Sequence, residues 1–132
     1  MSKFIIGKDR NQTEFFCLEQ VIDQSNTVRT IDLFVDSLSL KDMGFKTQFI
    51  NPDKSSGGRP AYHPADLLKL FLYGYLNRTR SSRALEKECT RNIELMWLLK
   101  GLVPDHNTIA NFRKSNPKAI EKVFRATVTM AN

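Results

Sequence analysis

Over most of the chain apolar side chains recur every three or four residues, the spacing of an amphipathic helix. Strand-like alternation is scarce outside the first quarter, and residues 1–26 show no firm period. Over residues 28–38, Ile31, Phe34, Val35 and Leu38 fall at i, i+3, i+4 and i+7 behind Thr27, a residue type suited to an N-cap. Asp32 and Asp36 then share the opposite face, which reads as the solvated side. Residues 51–60 (NPDKSSGGRP) are dense in turn formers and read as a flexible connection.

Beyond that connection the pattern is helical throughout. Pro64 suits the first position of a helix running to about residue 79. Leu67, Phe71 and Tyr75 form one apolar row, and Leu68, Leu72 and Leu76 the adjacent one. Only a narrow polar strip of Asp66, Lys69 and Asn77 remains, so this helix is expected to be the central post of a bundle. Ser81 or Ser82 can cap a second helix to about residue 91, burying Ala84, Leu85 and Cys89. Asn92 can cap a third over residues 93–100, with Met96, Trp97 and Leu99 apolar and Gly101 as its stop. Pro104 and Asp105 open a fourth over about residues 106–115. Pro117 starts a last one, in which Ile120, Val123, Phe124 and Val128 line one face. The expected fold is all-α: a small bundle of short helices with a helix-turn-helix-like segment and an irregular N-terminal region. The expected division is an N-terminal segment, residues 1–58, with one helix and the Gly/Ser linker, then a helical domain, residues 59–132.

Composition narrows the function classes. The chain has 132 residues, 41% hydrophobic and 26% charged, the balance of a globular protein with a real core. Its longest apolar stretch, residues 70–76, is far shorter than the roughly 20 residues a membrane span needs. Phe4, Ile5 and Ile6 are too short an apolar run for a signal peptide, and a cytoplasmic location is the simplest expectation. Cys17, Cys89, His63 and His106 are scattered singly, unlike the close ligand pairs of structural zinc sites, so reduced thiols and no metal are expected. The formal net charge is +6, with 20 Lys and Arg against 14 Asp and Glu. Residues 1–50 carry 6 basic and 7 acidic side chains, whereas residues 51–132 carry 14 and 7. So basic a second half suggests a polyanion partner, most commonly nucleic acid.

Two groups of residues fit that partner. Arg78 and Arg80 precede a helix on which Arg83, Lys87 and Arg91 stand at i, i+4 and i+8, a row able to follow a phosphate backbone. The alternative is an ordinary solvated surface partly neutralised by Glu86 and Glu88. On the fourth helix Ile109 and Phe112 point one way, while Asn107, Asn111 and Lys114 share the other face with Arg113 at its edge. Asparagine pairs bidentately with adenine, and arginine or lysine with guanine, so this face can read bases in a major groove. A short helix, the turn at residues 101–105 and this polar-faced helix follow helix-turn-helix order. Asp105 has a structural task as N-cap, and a plain amphipathic surface helix is the competing reading. Arg59, between glycines and proline, could lie in a minor groove, but a flexible linker fits it better. No phosphate-binding glycine loop, nucleophile elbow or paired metal-binding histidines occur. Asp32 and Asp36 lack a third acid for two-metal chemistry.

Several motifs in order carry a family resemblance. Gly58-Arg59-Pro60-Ala61-Tyr62-His63-Pro64, then Leu67-Leu68-Lys69-Leu70 and Tyr73-Gly74-Tyr75-Leu76, resemble the N-terminal domain of insertion-element DDE transposases of the InsH-like type. So do Ser82-Arg83-x-Leu85-Glu86, Met96-Trp97-Leu98 and Pro104-Asp105-His106-x-Thr108-Ile109-x-x-Phe112-Arg113. Val28-Arg29-x-Ile31-Asp32-x-Phe34-Val35-Asp36, followed by Gly44-Phe45, is similar too. The likeness spans about residues 4–124. It implies binding of double-stranded DNA at the terminal inverted repeats of a mobile element. It further implies that a separate RNase H-like domain, with three acids holding divalent metal, performs the cleavage and joining. Those acids are expected beyond residue 132, so the chain is expected to be truncated, non-catalytic and free of cofactor. The alternative within the same family is a module for self-association or for association with full-length transposase. Trp97, Leu85 and Phe112 are accounted for by helix packing, and Gly74 by close helix approach.

Overall fold

The computed structural model describes residues 4–7, 10–11, 17–40, 42–45 and 62–131, the side chains of 128–131 aside. Within them lie seven helices and no extended sheet: α1 (Leu18–Val21), α2 (Thr27–Asp36), α3 (Pro64–Leu76), α4 (Ser82–Arg91), α5 (Ile93–Leu98), α6 (His106–Ser115) and α7 (Pro117–Ala131). The all-α expectation is met. The 51–60 connection, Arg59 and the Val128 side chain lie outside the described residues.

Local chemistry explains where the helices begin. Orphan N–H groups in the first turn need acceptors, and short polar side chains supply them. The side chains of Asn26, His63, Ser81, Asn92 and Asp105 accept from the backbone N–H groups of Val28, Ala65, Ala84, Glu94 and Thr108. The cap of α2 is therefore Asn26, and Thr27 is already helical, one residue from the expected position.

Two helices end in the same way. After α3, Arg78 takes a left-handed φ of 61° and the Thr79 N–H returns to the Gly74 carbonyl at 2.8 Å. After α5, Lys100 takes φ 54° and the Gly101 N–H returns to the Met96 carbonyl at 2.9 Å. Both are six-to-one closures of the Schellman kind, with a long basic residue in the position glycine usually fills. The α5 helix thus stops at Leu98, earlier than expected from Gly101.

The α3 helix is indeed the post. Leu67, Leu68, Leu70 and Leu72 are essentially inaccessible, and the buried cluster takes Ile22, Val28, Ile31, Val35 and Phe45 from one side of the sequence and Leu85, Leu95, Ile109, Phe112 and Val123 from the other. The α2 helix packs along α3 and α5, α4 packs on α5 and α6, and α7 meets α6. Phe112 stacks against Phe45 and Phe71 with ring centroids 5.7 and 5.8 Å apart. Fully burying each such side chain contributes about 1.5–3 kcal/mol.

Two expectations about α2 and α3 fail. Lys69, placed on a polar strip, is 5% exposed, and Asp32, placed on a solvated face, is 9% exposed. Their faces meet, because α2 lies against α3: Lys69 Nζ stands 2.7 Å from Asp32 and 3.0 Å from Asp36. Arg10 reaches the same Asp32 oxygen at 3.1 Å. Burial opposes the charge on Lys69, but the hydrogen bonds to Asp32 and Asp36 outweigh it and hold the ammonium above its ordinary pKa. Helical period separates apolar from polar faces, yet cannot show that two polar faces bury each other. At the far end of α3, by contrast, the apolar rows run out of cover: Tyr75 and Leu76 are 39% and 45% exposed.

Trp97 organises the N-terminal segment. Arg10 and Arg29 both lie over its ring, at 4.1 and 4.9 Å from the centroid, and its indole N–H donates to Glu19. Arg10 also donates to the carbonyls of Trp97 and Leu98, satisfying the end of α5. Arg29 donates to the carbonyls of Glu19, Ile22 and Asp23, closing α1 in the same manner.

Candidate nucleic-acid interface

The turn between α3 and α4 is shaped by a close approach. A side-chain carbon on Gly74 would stand 2.4 Å from the Thr79 carbonyl oxygen and 2.9 Å from Leu85 Cδ2. Glycine is therefore required for the chain to fold back so tightly. That fold places Arg78 and Arg80 at the surface directly before α4, and Ser81 starts the helix. On α4, Leu85 and Cys89 face the core, so Arg83, Lys87 and Arg91 fall on the exposed face. Arg91 is bound to Glu88 at 2.7 Å. Arg83 and Lys87 make no ion pair among the described residues.

Glu86 makes no ion pair with that row among the described residues. Its Oε1 accepts the backbone N–H of His106 at 3.0 Å and lies 2.8 Å from the imidazole Nδ1. One α4 carboxylate therefore holds the start of α6, where its charge also suits the positive end of the helix. Asp105 caps the same terminus, and the Thr108 N–H it accepts keeps its carboxyl below the usual carboxylate range. Ile109 and Phe112 anchor α6 in the core, leaving Asn107, Asn111 and Lys114 exposed.

Arg113 links the two groups. Its Nη2 donates to the Arg80 carbonyl at 2.6 Å, and its guanidinium lies 4.9 Å from the Phe71 ring centroid. The structure thus brings the α3–α4 turn, the α4 row and the α6 face onto neighbouring elements. Arg113 itself braces the turn, although its sequence position suggested a base contact alone. The α6 helix packs chiefly on α4, two helices earlier, rather than on α5.

Beside this junction is a cleft of about 440 Å³ among the ends of α3 and α7 and the α3–α4 turn. Phe71, Tyr75, Ile120 and Phe124 supply apolar wall, while Arg80 and Arg113 line it with charge. The sequence hinted at this only through Tyr75 and Phe124, each reading as one more core position.

Burial, reinforced by Glu86 and Glu88, pushes the Cys89 thiol up to about 12, so it stays protonated near neutrality. Both cysteines are free. Among the described residues no group of three or more His, Cys, Asp or Glu is placed to hold a metal ion. No helix among them is long and apolar enough to cross a membrane.

Residues 16–115 match the family model described as Transposase domain (DUF772). The chain belongs to this transposase family. The match runs from just before α1 to the last residue of α6, and so covers Trp97 with Arg29 and Glu19 (Arg10 lies outside it), the α3 post and both candidate groups of side chains. No curated protein and no solved structure gives a significant match. The family establishes a role in transposition.

Proposed function

We propose that this transposase domain binds double-stranded DNA and recognises the terminal inverted repeats of its element. Arg78, Arg80, Arg83, Lys87 and Arg91 hold phosphates, Asn107, Asn111 and Lys114 read bases, and Arg113 both braces the turn and reaches the groove edge. The observation that carries the reading is the mounting of α6. Its polar face is exposed while Asp105, Glu86, Ile109 and Phe112 fix its start and its inner side to a helix bearing the cation row. A rigid helix with amide and cationic side chains outward, beside a phosphate-binding row, has the parts of major-groove recognition. The chain needs no cofactor for this binding.

Mobility-shift titration tests the reading with the element's end sequence, a scrambled duplex of equal length and several salt concentrations. The end sequence should bind more tightly, with log affinity falling linearly against log salt. Absence of binding to either duplex at low salt would overturn the function, and equal binding to both would remove its sequence-specific part.

A further inference from the structure

The cleft beside Arg113 is a feature that helix packing alone does not account for. Its walls are aromatic: Tyr75 and Phe124 stack with centroids 4.4 Å apart at 26°, and Tyr75 keeps 39% of its surface exposed. Its charged groups are Arg80, Arg113 and Glu121, and the Glu121 carboxylate is taken by Arg125 at 2.9 Å. The cleft therefore offers a flat apolar surface to a ring and cations to an anion. About 440 Å³ lies within the range of roughly 300–1,000 Å³ typical of small-ligand sites.

We propose that this cleft takes one unpaired base of the bound DNA, stacked on Tyr75 with its phosphate near Arg80 and Arg113. The proposal rests on the DNA-binding reading above and deepens it. Charge complementarity selects the occupant, since a nucleotide is the ligand that joins a π-face to a phosphate. Position supports it as well: Arg80 and Arg113 belong to both the cleft and the proposed interface, so DNA engaged by the turn and α6 passes the cleft mouth. An extrahelical or overhanging nucleotide could enter without any movement of α6.

The test compares the 132-residue chain on two labelled duplexes of the element's end sequence, one blunt and one with a thymine overhang. The overhang should bind at least about fivefold more tightly, the lower end of what one stacked base contributes. Tyr75→Ala should erase that preference and leave blunt-duplex affinity unchanged, while Tyr75→Trp should retain it. Circular dichroism of each variant checks the fold, and 5-iodouracil in the overhang should crosslink to Tyr75 on irradiation. Equal affinity for the two duplexes would overturn the cleft assignment and leave the DNA-binding function standing. Failure to bind either would defeat both. A preference unchanged by Tyr75→Ala, with a loss of self-association in sedimentation, would overturn the assignment in favour of a second copy of the chain as occupant.

Discussion

Around Trp97, Arg10 and Arg29 lie over the ring and close the ends of α5 and α1, and nearby Lys69 sits between Asp32 and Asp36. Some residues further along, Arg83 and Lys87 stand exposed on α4 and make no ion pair among the described residues. The first region spends its cations on its own carbonyls, carboxylates and indole; the second leaves Arg83 and Lys87 facing outward, although Arg91 is bound to Glu88 and Arg113 to the Arg80 carbonyl. Net charge alone does not make a binding surface. What matters is whether a cation's hydrogen-bonding capacity is already met inside the fold, because only then is moving it to a phosphate unfavourable.

The contrast can be broken most forcefully at Lys69. Lys69→Met removes a buried partner from Asp32 and should lower stability by about 3 kcal/mol in urea unfolding, the low end for a broken buried pair because Arg10 remains. A neutral outcome would dissolve the distinction between the two regions. Gly74→Ala comes next. Alanine usually favours a helix, but here the added carbon meets Thr79 and Leu85, so a loss of about 1–3 kcal/mol is expected in thermal unfolding. The displaced turn carries Arg78 and Arg80, so DNA binding should weaken with it.

Asp105→Ala should cost about 1 kcal/mol through the lost N-cap. Because the folded carboxyl is held below its unfolded pKa, the contribution is fully present above the unfolded value of about 4. It is lost as pH falls through the folded value. Wild type and Asp105→Ala should therefore converge in stability at strongly acidic pH, and a constant gap would contradict the cap's ionic character. Smallest in stability are Arg83→Ala and Lys87→Ala, each within about 0.5 kcal/mol of wild type. Each should nevertheless reduce the salt slope of DNA binding by about one. Asn111→Ala should leave the slope alone and reduce discrimination between end and scrambled duplexes by about 1–3 kcal/mol.

Legibility in the sequence followed the range of the interactions involved. The starts of α3, α4, α5 and α6 were readable because proline, serine, asparagine and aspartate act within three residues of themselves. The exposure of Arg83, Lys87, Asn107 and Asn111 follows from the period of α4 and α6. The role of Glu86 was not readable: its partner, His106, is 20 residues away. Nor was the bond from Arg113 to the Arg80 carbonyl, across 33 residues. The cleft was hidden for the opposite reason, since Tyr75 and Phe124 continue apolar rows whose neighbours are buried.

By itself the sequence determined an all-helical chain, most of its caps, a basic second half and its likeness to transposases, all carried by composition, order and local hydrogen bonding. Only the tertiary structure decided which charged faces were consumed inside the fold and which were left outward. That choice depends on which helices meet: α2 against α3 buries Asp32 and Lys69 together, whereas no described element covers the Arg83 and Lys87 face of α4. Burial of a charge is a property of two surfaces in contact, and a single helix's periodicity describes only one of them.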